Sequence, residues 1–213
     1  MDKLTLYHAN GSPNSRRVRI FLAEKNVTLP DVQLDLGKGE QHAEHYRQIN
    51  PGRVVPTLLL EDGTAIGEVP AIQRYIEELQ PQPSLWGETP KEKALITMWE
   101  RRSELEGFAA VMEAIRNAAP GLKGRAIAGP HDYEQIPALA ERSKQRVANF
   151  FEDLNTRLAV VPFVAGERYS VADITALAAV DFAAKAISMD IPAQHSALKR
   201  WHATVSARPS ASA

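Results

Sequence analysis

The chain has 213 residues, of which 44% are apolar, so it can bury a sizeable core in one large or two small domains. Its 25 Lys and Arg residues nearly balance its 26 Asp and Glu residues, which argues against nucleic acid or an anionic membrane as partner and favours a small molecule or a protein. The chain has no cysteine, so any sulfur chemistry needs a sulfur atom that the substrate brings.

The opening run Met1–Tyr7 carries charges at its second and third positions and lacks a long apolar segment. We therefore expect neither a signal peptide nor a membrane anchor, which predicts a cytoplasmic protein. Within this region, Lys3–His8 is a short β-favouring run that ends at a cluster of turn formers, Asn10–Pro13. This pattern predicts a first strand followed by a loop.

The next segment alternates between helix and strand patterns. From Asn14 onward apolar residues recur at helical spacing until Glu24–Asn26, which predicts a first helix. Val32–Asp35 alternates like a second strand, and the polar stretch Gln41–Gln48 fits a short helix. The predicted order so far is β-α-β-α.

A turn cluster, Asn50–Arg53, then precedes an apolar run, Thr57–Leu60, which we interpret as a third strand. The Asp62-Gly63 pair favours a tight hairpin, so Ala65–Gly67 is predicted to return antiparallel to that strand. A helix is expected after Pro70, because proline is tolerated in the first turn. The first domain therefore has the predicted order βαβαββα.

Leu79–Leu85 contains two prolines and no periodicity, so we predict a linker there, between domains at 1–80 and 88–213. Everything after the linker has helical patterns. One helix face with three- and four-residue spacing includes Leu95, Trp99, Arg102, Leu105 and Glu106, and Phe108 and Met112 extend an apolar stripe along it. Further helices are predicted at Leu139–Leu158, Val171–Ile187 and Ala197–Ala207.

Three motifs resemble those of the cytosolic glutathione transferase family. Asn50–Leu58 is similar to its segment around a cis-proline, Ile66–Ile76 to its motif Glu-Ser-x-Ala-Ile-x-x-Tyr-Leu, and Phe163–Thr175 to its helix-capping signature in the second domain. Arg17–Asn26 and Thr89–Lys93 resemble a yeast and bacterial branch. The resemblance implies a thioredoxin-like α/β domain followed by an all-α domain. It also implies a homodimer, a role in detoxification, and transfer of the glutathione thiolate to a hydrophobic electrophile.

Glutathione presents an ammonium, two carboxylates and a thiol, and the resemblance assigns partners to them. Glu68 pairs with the ammonium while the amides of the following helix attract the γ-glutamyl carboxylate. Val69 stands where the family usually has a hydroxyl residue, so one hydrogen bond to that carboxylate is missing. Val55, before the predicted cis-proline Pro56, pairs with the glutathione backbone.

Arg53 is placed by the resemblance against the glycine carboxylate, where an arginine can donate two hydrogen bonds. Lys38, Gln41 and His42 are expected near the same end. His42 and His45 alone do not predict a metal site, because no further clustered ligands follow them. The alternatives are a solvated loop arginine for Arg53 and, for Glu68, a surface residue favoured by the helix terminus.

Ser12 lies six residues ahead of Val18, and this spacing resembles that of the catalytic serine or cysteine in several classes of the family. Ser15 and Tyr7 are rival candidates. A hydroxyl and the terminus of the first helix could together lower the thiol pKa of glutathione. Ser12 before Pro13 also fits a helix cap, and both roles are compatible. Ser170 and Asp173 form a predicted capping box with a structural role.

The sequence does not identify the electrophilic substrate. Its pocket is built from scattered helix residues that belong to no motif, such as Leu105, Phe108, Met112 and Arg116. Glutathione-dependent peroxide reduction or isomerisation therefore remains an alternative to transfer. A binding module that has lost glutathione is a third possibility, which Val69 leaves open.

Overall fold

The computed structural model describes residues 3–213, so Met1 and Asp2 of the opening run lie outside the described residues. The chain divides into two compact units. The first runs to Pro83 and also includes Ala128–His131 and Ala213, and the second comprises Ser84–Ile127 and Asp132–Ser212. Within residues 3–213, none of the helices has the length and apolar character needed to cross a membrane.

The first unit is a four-stranded sheet with helices. Its elements, in chain order, are β1 (Thr5–His8), α1 (Pro13–Glu24), β2 (Asp31–Gln33), a 3₁₀ turn (Glu40–His42), α2 (Glu44–Ile49), β3 (Thr57–Leu59), β4 (Ala65–Ile66) and α3 (Val69–Leu79). The strand order is β2-β1-β3-β4, with β1 parallel to β2 and antiparallel to β3, and β4 antiparallel to β3. The predicted βαβαββα order is confirmed.

The strand β1 lies in the middle of this sheet and sets the position of the loop that follows it. Leu6 faces Asp31 on β2 and Leu58 on β3, and Leu6 and Leu58 are both buried. Helices α1 and α3 pack against each other and bury Phe21 and Ile72 completely. Because the parallel strands β1 and β2 end at the same sheet edge, the segments that follow them emerge side by side.

A buried ion pair joins α1 to α3. The Lys25 ammonium lies 2.8 Å from the Glu77 carboxylate, and the two side chains are 0% and 8% exposed. Lys25 also donates a hydrogen bond of 2.7 Å to the carbonyl of Pro83. Pro83 is the residue at which the chain passes from the first unit into the helical unit. The pair therefore ties together the end of α1, the last turns of α3 and the segment that leaves the domain.

The second unit is helical. Its elements are α4 (Pro90–Arg102), a π-helical turn (Ser103–Phe108), α5 (Ala109–Ala118), a 3₁₀ turn (Pro120–Leu122), α6 (Pro137–Leu158), α7 (Val171–Ile187), α8 (Ser196–Ser206) and a 3₁₀ turn (Pro209–Ser212). Every residue of the stretch 171–180 in α7 is buried, which makes this alanine-rich helix the centre of the unit. The prediction of an all-helical second domain is confirmed.

The single apolar stripe predicted around Trp99 is interrupted. The π-helical turn Ser103–Phe108 takes more residues per turn than an α-helix and so rotates the face that follows it. Leu105 consequently lies 49% exposed, whereas Phe108 is buried. A Cβ atom at Gly107 would lie 2.6 Å from the Phe150 ring, so a glycine there permits the close approach of α6.

The start of α7 is held by the buried carboxylate of Asp173. It accepts hydrogen bonds from the backbone N–H of Ser170 (3.0 Å), the Ser170 hydroxyl (3.2 Å), the N–H of Val164 (2.9 Å) and the indole of Trp201 (2.8 Å). These bonds connect the cap of α7 to the preceding loop and to α8. Burial raises the pKa of Asp173 to about 6, against the opposing effect of these donors.

We expect this carboxyl to make the stability of the protein depend on pH. Since its folded pKa exceeds the usual value of 3.8, its contribution to stability is fully present below pH 3.8 and is lost as the pH rises through 6. From pH 4 to 7 the stability of the wild type relative to Asp173→Asn should therefore fall by about 2–3 kcal/mol. Urea unfolding of both proteins at several pH values measures this difference, and a constant difference would contradict the buried titration.

Candidate functional site

The loop between β1 and α1 places Ser12 at the N-cap of α1. Its side-chain oxygen accepts the backbone N–H of Ser15 at 3.2 Å, and Pro13 follows at the first helical position. The backbone N–H of Ser12 donates to the carbonyl of Ala9 at 3.0 Å. Because the capping bond uses only the oxygen as acceptor, the Ser12 O–H remains able to donate to another group. Capping and donation to a thiolate are therefore compatible at Ser12.

The two rivals of Ser12 have structural partners in the same unit. Ser15 is fully buried, and its hydroxyl oxygen accepts the backbone N–H of Ala9 at 3.2 Å. Tyr7 is half-buried in β1, with its ring centroid 5.8 Å from that of Tyr46. Ser12 is thus the hydroxyl residue of the three that occupies the helix terminus itself.

The entry to β3 presents an unpaired stretch of backbone at Val55. The Val55–Pro56 peptide bond is cis. The preceding carbonyl, that of Val54, accepts hydrogen bonds from the Tyr46 hydroxyl (2.5 Å) and the Asn50 side chain (3.0 Å). Among residues 3–213, by contrast, the backbone N–H and C=O of Val55 have no hydrogen-bond partner. The buried Val55 side chain packs in one cluster with Ala9, so this backbone lies close to the start of the Ser12 loop.

Two of the residues that the resemblance places at the glycine end of glutathione each have a side-chain atom that is buried without a partner in the described part of the chain. These atoms are the Nε–H donor of Arg53 and the Oε1 acceptor of Gln41. Arg53 also has a positive φ of 52°, a conformation that non-glycine residues rarely adopt. Since buried polar groups are normally paired, both atoms are candidates to receive a ligand. His42 is exposed at the end of the 3₁₀ turn, next to Gln41.

Glu68 lies at the N-cap of α3 in an unusual conformation, with φ 60° and ψ 125°. Its side chain makes no capping hydrogen bond and is exposed, so the carboxylate remains available. Strained backbone of this kind costs on the order of 1–3 kcal/mol and is concentrated at ligand-binding sites. Val69 follows at the first helical position and is buried, with an apolar side chain where the family usually has a hydroxyl.

A cleft of about 550 Å³ opens where β1 and β2 end. Its lining includes Asn10, Gly11, Gln33, Asp35, Gly37 and Glu40. Gly11 immediately precedes Ser12, so the cleft adjoins the loop that carries the candidate catalytic hydroxyl. The cleft has roughly the volume that small-molecule sites have.

Comparison with known proteins agrees with this geometry. The family description "Glutathione S-transferase, N-terminal domain" matches residues 6–84, and "Glutathione S-transferase, C-terminal domain" matches residues 108–209. Glutathione S-transferase 2 of Saccharomyces cerevisiae is 36% identical over 98% of this chain and 88% of its own length. The chain belongs to the glutathione S-transferase family. The family predicted from the sequence motifs, including its yeast and bacterial branch, is thereby confirmed.

Solved structures of family members also share the fold. The crystal structure of a glutathione S-transferase domain-containing protein from Marinobacter aquaeolei aligns with a TM-score of 0.89 and 38% identity, over 97% of this chain and 98% of that one. The transferase fold therefore extends over nearly the whole chain.

One further relative matches part of the chain. The maleylacetoacetate isomerase of Rattus norvegicus is 39% identical over 98 residues, which are 45% of each chain.

Sequence patterns did not reveal every polar residue that supports the Ser12 loop. Arg19 lies in α1 and contacts the carbonyl oxygens of Ala9 and Asn10 at 3.3 and 3.5 Å. The helix was predicted from the spacing of its apolar residues, and that pattern assigns arginines only to the polar face of the helix. The available signal was three arginines within four residues, Arg16, Arg17 and Arg19, of which Arg17 is buried and the other two half-buried.

Proposed function

We propose that the protein is a glutathione transferase that binds glutathione in its first unit, lowers the pKa of its thiol and transfers the thiolate to a hydrophobic electrophile. The observation that carries this proposal is the unpaired backbone of Val55, flanked in sequence by the orphaned Nε–H of Arg53. An extended peptide can pair with an unpaired strand end through its own backbone groups. Family membership supports the same activity.

The three charged groups of glutathione find matching partners in this arrangement. The free carboxylate of Glu68 pairs with the ammonium, and the first-turn amides of α3 attract the γ-glutamyl carboxylate. Arg53 then donates to the glycine carboxylate, which satisfies its buried Nε–H. Val69 supplies no hydroxyl for the γ-glutamyl carboxylate, so we expect Val69→Ser to tighten glutathione binding.

The thiolate is stabilised at the N-terminus of α1. Ser12 donates its O–H to the sulfur, and the positive end of the helix dipole favours the negative charge. Pro13 has no N–H and the Ser15 N–H is used by the cap, which leaves the Asn14 amide as the first-turn donor. An apparent pKa lowered by about 2 from the free value near 8.5 corresponds to roughly 2.7 kcal/mol.

The acceptor site is assigned to the helical unit, with Leu105, Phe108, Met112 and Arg116 as candidates. Phe108 packs against Phe182 with a centroid distance of 5.8 Å, which supplies an apolar wall. Burial lowers the pKa of Arg116, whose guanidinium donates to the Arg125 carbonyl at 2.7 Å. This mixture of aromatic and cationic groups suits an apolar acceptor with an electron-rich substituent.

A panel of halide, epoxide and peroxide acceptors tests the activity. Glutathione conjugation to a halide or epoxide, saturable in glutathione, supports the transferase assignment. Turnover of peroxides alone would replace it with glutathione-dependent reduction. Glutathione binding without turnover on any class, or a protein that passes through a glutathione column, would indicate a binding module instead.

Replacing Ser12 with alanine separates its two roles. If the hydroxyl stabilises the thiolate, the thiol pKa of bound glutathione should rise, with little change in affinity for the protonated form. Loss of the cap should also reduce the free energy of unfolding by about 0.5–2 kcal/mol. Thiolate absorbance against pH and urea unfolding measure the two effects. A loss of stability with an unmoved thiol pKa would remove Ser12 from catalysis and assign the thiolate to backbone amides.

Glutathione-dependent isomerisation is a second candidate function. It is favoured by the 39% identity to the rat maleylacetoacetate isomerase, which covers 98 residues. The chemistry uses the same thiolate, which adds to an activated double bond and leaves again after rotation. Addition of a cis-configured unsaturated diacid to the acceptor panel tests it, since isomerisation consumes no glutathione.

We also propose that the protein is a cytoplasmic homodimer with α3 and α4 at the contact. Leu79 on α3 and Leu95 and Met98 on α4 are exposed apolar side chains, 48%, 36% and 45% accessible. Light scattering should give twice the chain mass of 23.5 kDa, and Met98→Lys should shift the mass toward the monomer. A monomer in the wild type at micromolar concentration would contradict this arrangement.

A further inference from the structure

Arg19 sits behind the loop that carries Ser12. One guanidinium nitrogen lies 3.3 Å from the carbonyl oxygen of Ala9, and the other lies 3.5 Å from that of Asn10. The Ala9 carbonyl also accepts the backbone N–H of Ser12 at 3.0 Å. A single carbonyl oxygen therefore links the Arg19 side chain to the backbone of Ser12.

The orientation of Arg19 is set by a pair of residues on the sheet. The Nδ1 atom of buried His8 lies 3.4 Å from the nearer guanidinium nitrogen, and its Nε2 atom lies 2.9 Å from the Asp31 carboxylate. An arginine side chain can only donate, so Nδ1 must be the acceptor and Nε2 must carry the proton. That proton is then donated to Asp31. Hydrogen bonds therefore run from Asp31 on β2 through His8 on β1 to Arg19 on α1.

Few other contacts hold the tip of this loop, which is formed by Asn10 and Gly11. Asn10 and Gly11 are both exposed, and a Cβ atom at Gly11 would meet nothing within 4 Å. The Asn10 side chain makes one exposed hydrogen bond of 3.0 Å to Gln33. Burial, and then the neighbouring charge of Arg16, lower the pKa of Arg19, so its guanidinium is held in this place against an electrostatic cost.

We infer that Arg19 is a positioning residue of the transferase, which holds the Ala9 and Asn10 carbonyls and thereby fixes Ser12 and the α1 terminus against the thiol. The inference rests on the proposed function. Arg19 acts through the loop and does not touch glutathione. Its planar fork reaches two carbonyls at once, which a lysine ammonium cannot reproduce with the same geometry.

The test compares three variants by the thiol pKa of bound glutathione, read from thiolate absorbance against pH. Arg19→Met and Arg19→Lys should both raise this pKa by roughly 0.5–1, because a stabilising hydrogen bond to the thiolate is weakened. At a pH below the pKa, kcat should fall roughly three- to tenfold with little change in the KM for glutathione. Arg16→Met is the matched control, since it removes the same charge from the same helix, and it should leave the pKa within about 0.3 of the wild type.

The outcomes separate the inference from the proposed function. A wild type that does not lower the thiol pKa would overturn both. A normal wild type with Arg19→Met unchanged in thiol pKa would overturn the positioning role alone, whatever happens to the melting temperature. An equal rise in Arg19→Met and Arg16→Met, with Arg19→Lys unaffected, would show that charge and not position is what matters.

Discussion

Glutathione affinity should fall by at least roughly tenfold when Glu68 is replaced with alanine. A hydrogen bond to a charged group contributes about 1.5–3 kcal/mol, and the ammonium of glutathione is its only cation. The Glu68 carboxylate is exposed and is not used as a cap, so its removal should leave the fold intact. Because alanine keeps the strained φ of 60°, the free energy of unfolding should change by less than about 0.5 kcal/mol. Calorimetry and urea unfolding measure the two quantities.

Two further variants show whether the effect belongs to the site. Glu78→Ala removes another exposed carboxylate from the same helix, and its glutathione affinity should stay within twofold of the wild type. Glu68→Gln keeps the size and removes only the charge, so it should retain part of the binding. Wild-type affinity in Glu68→Ala would mean that the γ-glutamyl end is bound elsewhere.

The largest loss of stability is expected from Lys25→Met. Breaking a buried ion pair by removing one partner costs about 3–5 kcal/mol, because the charge that remains buried loses the attraction of its counter-charge. Here the remaining group is the Glu77 carboxylate, whose side chain is 8% exposed. The hydrogen bond to the Pro83 carbonyl is lost as well. For a chain of this size the melting temperature should fall by about 2–4 °C for each kcal/mol.

An exposed ion pair of the same unit provides the control. Lys3 pairs with Glu61, with side-chain exposures of 72% and 61%, and Lys3→Met should cost no more than about 1 kcal/mol. The double variant Lys25→Met with Glu77→Leu should recover most of the loss, because an apolar pair can replace a buried ion pair. If Lys25→Met behaved like Lys3→Met, the pair would not be buried in solution as it is in the structure.

The sequence predicted those elements that local signals determine. Val171–Ile187 was predicted with the same bounds that α7 has, because its capping box and alanine-rich run mark both ends. The start of α6 was predicted at Leu139 but lies at Pro137, since proline is accepted in a first turn. The π-helical turn Ser103–Phe108 was missed, because it depends on the packing of Gly107 against Phe150 and leaves no periodic signal.

The candidate site was predictable as a set of residues but not as a network. The motifs gave Ser12, Arg53, Val55 and Glu68 their assigned roles, which remain proposals. The structure adds which of their polar atoms are already engaged and which are orphaned, and no motif contains this information. The contacts of Arg19 reach back 9 to 11 residues to the end of β1 and the loop after it, and the buried pair of Lys25 joins α1 to α3. Both depend on how the elements pack, so no local sequence pattern predicts them.

Titration of the thiol of bound glutathione on the wild-type protein tests the central claim most directly. With the protein saturated, the thiolate absorbance should rise with an apparent pKa about 2 below the value near 8.5 of an unperturbed thiol. Saturable binding with an unshifted thiol pKa would contradict the claim that Ser12 and the α1 terminus activate glutathione.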